Sequence, residues 1–209
     1  MRLTSSCFQV DGRIPDECAF AVHHPESRIV LSRNLNPDLA WSDLPAGTRS
    51  LVVICHDPDV PSVLDDFNQE GRIVSAGTPR IDLYHWALVD VPPDLQGIGK
   101  GEFSDAVVPG GKSGPQAPHG TRQGLNDYTQ WFAGDERMAG QYFGYDGPCP
   151  PWNDEIPHRY VFTLYALDTP TCPVAGIFGA RDVIAAVRPH LLGTATLTGR
   201  YTLNPEVAI

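Results

Sequence analysis

Glycine and proline recur so often along this chain, 20 of each in 209 residues, that long regular elements have little room to form. Between these breaks lie short runs rich in β-branched and aromatic residues, the side chains that suit a pleated, half-buried surface. They are Arg28–Arg33, Arg49–Cys55, Asp82–Val91, His158–Leu167 and Thr194–Thr202. One helix is expected, over Ala180–Leu191, where Val183, Ile184, Val187 and Leu191 recur at helical spacing and Pro189 limits regularity near the end. Strands dominate and helices are few and late, so the pattern predicts an all-β fold of two packed antiparallel sheets. The length suits one sandwich-sized domain over residues 1–209.

Charge excludes some partners. With 15 basic against 25 acidic side chains the formal charge is −10, which opposes long-range attraction to nucleic acid or an anionic membrane surface. An anionic ligand must then be held by a few local donors. The opening MRLTSSCFQV lacks the apolar stretch of a signal peptide, and no apolar run approaches a membrane span. Five cysteines form an odd set with no CxxC pair. Reduced thiols in a cytoplasm are expected, with no metal site and no cofactor.

Several familiar motifs fail on inspection. Gly111-Lys112-Ser113 has the ending of a phosphate loop, but Ala106 stands where its first glycine belongs and Pro109 interrupts it. Gly97-Ile98-Gly99-Lys100-Gly101 meets Glu102 where a dinucleotide fingerprint needs its last glycine. Both read as ordinary loop glycines. There is no GxSxG elbow or HExxH pair. His23 and His24 would point to opposite faces of a strand and have no partner at ligand spacing.

Three segments place polar residues at strand ends or inside apolar strands. His56-Asp57-Pro58-Asp59-Val60-Pro61 follows the strand ending at Cys55 and reads as a proline-stiffened loop. In Tyr84-His85-Trp86-Ala87-Leu88-Val89, alternation puts His85 on the face of Leu83, Ala87 and Val89. A lone histidine there is more often a satisfied core residue than a ligand. The third, Tyr145–Pro151, is a Gly- and Pro-rich loop expected to leave backbone N–H groups open to a ligand. It precedes His158, Tyr160 and Phe162, which share one strand face.

Read together and in this order, DPDVPS, HWALVDVP, GPCPP and HRYVFTLYAL resemble the phosphatidylethanolamine-binding protein family, in particular its bacterial, Raf-kinase-inhibitor-like members. The similarity runs from Asp11-Gly12-Arg13-Ile14-Pro15 through Leu39-Ala40-Trp41 to Gly199-Arg200-Tyr201. It implies a Greek-key sandwich with a pocket for phosphate, acetate or a phosphorylated head group. By motif, the pocket would be lined by Asp57, Pro61, His85, Gly147, Pro150, Pro151, His158 and Tyr160, with Asp59 and Trp86 in support. Asp59 is expected to tie its own loop together.

The resemblance favours a binding module, with no catalytic residue assigned, over a hydrolase using the Asp57, His85 and His158 pocket or an inhibitor of a kinase or protease. A protein partner and a homodimer are compatible with it. Three departures from the family pattern stand out. Asp154 and Glu155, within Trp152–Ile156, bring negative charge near the pocket; Val60 replaces a smaller residue; and about Thr129–Phe143 reads as an insertion. Trp131, Phe132, Tyr142 and Phe143 in that segment fit a lid, a dimer contact or a surface excursion equally well.

Overall fold

The computed structural model describes residues 1–209. The strands are β1 (Arg2–Thr4), β2 (Ala21–His24), β3 (Arg28–Leu31), β4 (Leu39–Ser42), β5 (Ser50–Pro61), β6 (Arg80–Val91), β7 (Gly97–Ile98), β8 (Gly111–Lys112), β9 (Arg122–Gln123), β10 (Gln141–Tyr142), β11 (His158–Leu167) and β12 (Leu191–Tyr201). Two short α-helices, α1 (Tyr128–Trp131) and α2 (Ala180–Val187), complete the fold with a few 3-10 turns.

A five-stranded sheet in the order β12-β11-β5-β6-β9 is the frame, and every pairing in it is antiparallel. A three-stranded sheet, β1-β4-β7, packs over one of its faces. Leu3, Leu39, Trp41 and Ile98 from the small sheet meet Leu51, Val53, Trp86, Leu88, Phe162 and Leu164 from the large one. The opposite face of the large sheet is covered by α2 and the chain before it, where Val52, Ile54, Ala87 and Val89 pack against Phe178, Val183 and Val187. Burial on both faces explains why Leu51-Val52-Val53-Ile54-Cys55 reads as an unbroken apolar run rather than as an alternation. The β2–β3 hairpin stands apart from these sheets, and β8 and β10 form a short parallel pair.

The expected strands form, with two changes at their ends. β5 does not stop at Cys55 but continues through Asp57 to Pro61. It absorbs the prolines by slipping register between Asp57 and Val60, a bulge that leaves the extra residue outside the ladder. The late helix ends at Val187 and passes through a 3-10 turn, Arg188–His190, into β12 at Leu191. Pro189 has no N–H to continue the helix, and its ring would collide with the carbonyl four residues earlier.

Candidate functional site

The site begins with a bulge in β6. Cys55 pairs with Trp86 and His56 pairs with Tyr84, so His85 has no partner across β5. That extra residue resets the alternation. Tyr84, Ala87 and Val89 pack toward α2, whereas Trp86 and Leu88 point into the core between the sheets. His85 goes with the second group, its ring 5.1 Å from that of Tyr160 and 5.5 Å from that of Tyr128. The expectation that His85 lies on the face of Ala87 and Val89 is therefore corrected: strict alternation fails where the strand carries one residue too many.

His85 is locked in place by its backbone neighbour. Its Nδ1 lies 2.7 Å from the backbone oxygen of Asp146, and the Asp146 N–H donates back to the His85 carbonyl at 3.1 Å. A carbonyl can only accept, so Nδ1 carries the hydrogen. Burial holds the ring below the ordinary imidazole range, against the pull of Asp57 and the Asp146 carbonyl. The neutral ring thus presents Nε2 as a lone pair. Asp146 is itself pinned: its carboxylate accepts from Asn34 Nδ2 and Asn126 Nδ2, both at 2.7 Å, and pairs with Lys112 Nζ at 3.0 Å.

His158 is arranged differently. Its Nδ1 lies 2.6 Å from Asp57 Oδ2 and its Nε2 lies 3.1 Å from Asp154 Oδ2. Two carboxylate acceptors require two N–H donors, so the ring is an imidazolium. Burial pulls its pKa down, but Asp57 and Asp154 outweigh that and raise it to about 9. Asp154 also pairs with Arg80, at 2.5 and 3.1 Å. Asp57, His158, Asp154 and Arg80 therefore form a buried line of alternating charges that cancels overall. The negative charge expected from Asp154 is neutralised here, and Glu155 turns away to accept from the Ala76 N–H. His158 has no nitrogen left to donate to a ligand; it supports the floor of the site.

Asp57, His85, Pro150, Pro151, His158 and Tyr160 all line one cavity of about 620 Å³. Every fully buried side-chain polar atom in the protein has a hydrogen-bond partner. His85 Nε2 and Tyr160 Oη bond to no protein atom, so both open on the cavity. Phe20, Tyr128 and Phe132 form an aromatic side wall, with ring centroids 4.8 to 5.7 Å apart. Trp131, from α1, and Phe67, from the chain after β5, meet at 5.2 Å where they line the same cavity. The 129–143 segment splits in two: Trp131, Phe132 and Met138 wall the cavity, and Tyr142 and Phe143 are buried in the body of the protein.

Two residues expected to line the pocket do not. Pro61 ends β5 opposite Arg80, on the far side of the bulge. Gly147 packs its Cα against the 18–19 backbone, where a Cβ would come within 2.1 Å of the Cys18 oxygen, so only glycine fits. The open N–H groups expected in this loop are also fewer. Gly147 donates to Asn34 Oδ1 at 2.8 Å, Asp146 donates to the His85 carbonyl, three of the others are prolines, and only the Tyr145 and Cys149 N–H groups are uncommitted. Asp59 does tie its segment: its N–H donates to Asp57 Oδ1 at 2.7 Å, and its carboxylate takes a two-pronged bond from Arg159 at 2.9 and 2.7 Å. Trp86 is core, its indole N–H donating to Gln123 Oε1 at 2.7 Å.

Chemically, the floor offers one acceptor at His85 Nε2 and one hydroxyl at Tyr160, beside Asp57. The single thiol on the cavity wall, Cys149, has its pKa raised to about 12 by burial, which makes it a poor nucleophile. Arg137 is the only lysine or arginine on the wall.

The family model for phosphatidylethanolamine-binding protein matches residues 4–202. A UPF0098 protein of Methanothermobacter thermautotrophicus is 32% identical over 202 residues, covering 96% of this chain and 98% of the relative. The UPF0098 protein YbhB of Escherichia coli is 32% identical over 170 residues, covering 81% of this chain and 82% of its own length. Among solved structures, the phosphatidylethanolamine-binding protein homolog CT736 of Chlamydia trachomatis superposes with a TM-score of 0.64 at 26% identity, covering 96% of this chain and 95% of its own. Escherichia coli YbcL shares the fold at a TM-score of 0.66 and 24% identity, covering 96% of this chain and 97% of its own. With the two-sheet fold in place and the family model spanning nearly the whole sequence, the chain belongs to the phosphatidylethanolamine-binding protein family.

Proposed function

We propose that this protein binds a small molecule bearing a phosphate or carboxylate group, with that group held at His85 Nε2 and Tyr160 Oη. One observation carries the reading: in a protein whose buried side-chain polar atoms are otherwise satisfied, these two are left open at the bottom of an apolar cavity. Such a cavity, mostly hydrocarbon with a few convergent polar groups, is the usual form of a small-molecule site. At about 620 Å³ it has room for more than a bare head group, and the Phe20, Tyr128 and Phe132 wall suits an apolar body attached to it. The family description supports phosphoethanolamine as a probe.

The floor carries no net charge, so affinity for a bare head group should be modest, about micromolar to millimolar. Calorimetric titration with phosphoethanolamine and with acetate tests the proposal. The parent should bind, and both His85→Ala and Tyr160→Phe should weaken binding. Parent-like affinity in both variants would contradict it.

A further inference from the structure

The inference here rests on the reading of the cavity just given and concerns how its ligand is held. We propose that binding an oxyanion at this site takes up one proton, shared between the bound oxygen and His85 Nε2, so that ligand is gained at low pH and released as pH rises. The geometry around Nε2 supports this arrangement. His85 Nδ1 is committed to the Asp146 carbonyl at 2.7 Å, and that carbonyl belongs to a residue fixed by Asn34, Asn126 and Lys112. The ring can neither flip nor move its hydrogen to Nε2. A fully ionised oxyanion placed there would set its lone pairs against that of Nε2.

One proton removes the conflict, and it balances either way. A monoprotonated phosphate or a protonated carboxylic acid keeps its own hydrogen and donates it to Nε2, while Tyr160 Oη donates to a second oxygen. Alternatively a dianion binds together with a proton from solvent, which makes His85 an imidazolium donor. Both routes end in the same complex, one proton richer than the dianion and the free protein. In the first route only hydrogen bonds form; in the second the proton leaves a solvent or buffer acid and forms the Nε2–H bond, and no other covalent bond changes.

The groups facing His85 from each neighbouring element do not take over this role. From β5, Asp57 is an acceptor, already bonded to His158 and to the Asp59 N–H. From β11, His158 has both nitrogens engaged. From α1, Tyr128 donates its hydroxyl to the Gly147 carbonyl at 2.9 Å. Before that helix, Asp127 accepts from the Tyr84 N–H and from Arg181. From the loop, the Asp146 carboxylate is saturated and Cys149 stays a thiol. Burial of the ring, which keeps His85 neutral at pH 7, is consistent with a proton arriving only with the ligand.

The test is a proton count on the intact protein. Phosphoethanolamine, whose phosphate loses its second proton near pH 6, is titrated by calorimetry at pH 7 and pH 8 in buffers of different ionisation heat. Sulfate, which has no hydrogen to bring, is the second probe, and any proton taken up with it reports on His85 itself. The expected result is uptake of about one proton for either probe and roughly tenfold weaker phosphoethanolamine binding at pH 8 than at pH 7. Binding with no proton uptake and equal affinity at the two pH values would overturn the inference and leave the binding site standing. No binding of either probe between pH 5 and pH 8 would overturn both. The count needs no variant, so it does not depend on a mutant folding.

Discussion

The Nδ1 of His158 lies 2.6 Å from the carboxylate of Asp57, with both side chains buried where β5 and β11 meet. A histidine whose pKa is raised on folding stabilises the protein below its unfolded pKa and loses that contribution as pH rises through its folded pKa. With the folded value raised to about 9 from the ordinary imidazole value of 6.5, the pair and its Asp154 neighbour contribute about 3 kcal/mol, present in full below pH 6.5 and gone above pH 9. Urea midpoints measured from pH 6 to pH 10 should fall across that window in the parent. The fall should be missing in His158→Gln. Equal slopes in the two proteins would refute the assignment.

Asp154 holds the other end of the charge line, between His158 and Arg80. Removing it leaves an imidazolium and a guanidinium facing each other under cover, and loss of one partner of a buried ion pair costs about 3–5 kcal/mol. Asp154→Ala should therefore be among the most destabilising single changes at the site, whereas Glu155→Ala, which loses one exposed bond to the Ala76 N–H, should cost less than about 1 kcal/mol. Denaturant unfolding of both variants gives the comparison; similar costs would contradict it.

Trp131 and Phe67 meet at 5.2 Å on the cavity wall, and Trp131 is 38% exposed. Because it is partly solvated, Trp131→Ala should lower stability by only about 1 kcal/mol. It should speed ligand entry and exit together, since it removes one side of an aromatic contact beside the bound molecule. Stopped-flow fluorescence with a phosphorylated probe in each protein measures both rates. Unchanged rates would place Trp131 outside the ligand path.

Arg137 is the only lysine or arginine on the cavity wall in a chain of formal charge −10. Reversing its charge should weaken anion binding by about 1 kcal/mol at low salt, with the difference shrinking as salt is added. Titration of Arg137→Glu with phosphoethanolamine at 10 mM and 300 mM sodium chloride checks this. A loss that ignores salt would mean that Arg137 acts by packing and not by its charge.

Much of the fold was legible because burial is written into the strands. The runs at Leu51–Cys55, Ala87–Val91 and Tyr160–Leu167 admit little but interior strands, and Pro189 marks where the last helix ends. The convergence of Asp57, His85, His158 and Tyr160 on one cavity was implied by the family resemblance and not by any local pattern. What was not legible depends on register. The bulge at His85 is created by how β6 pairs with β5, and no local pattern announces it. The commitment of both His158 nitrogens depends on Asp154, four residues upstream, and on Arg80, in a different strand. Asn34, Asn126 and Lys112 are far apart in sequence and meet only around Asp146. None of the three carries a local signal that sets it apart from the many other polar residues of this chain.

Nitrogen-15 NMR of the histidine rings, with phosphoethanolamine added at pH 7, tests the central claim most directly. In the free protein His85 should show a protonated Nδ1 and a bare Nε2, and His158 two protonated nitrogens. On addition of ligand the His85 Nε2 resonance should shift toward a hydrogen-bonded, protonated position and saturate, while His158 changes little. If the His85 ring is unmoved at saturating ligand, the ligand sits elsewhere and the account is wrong.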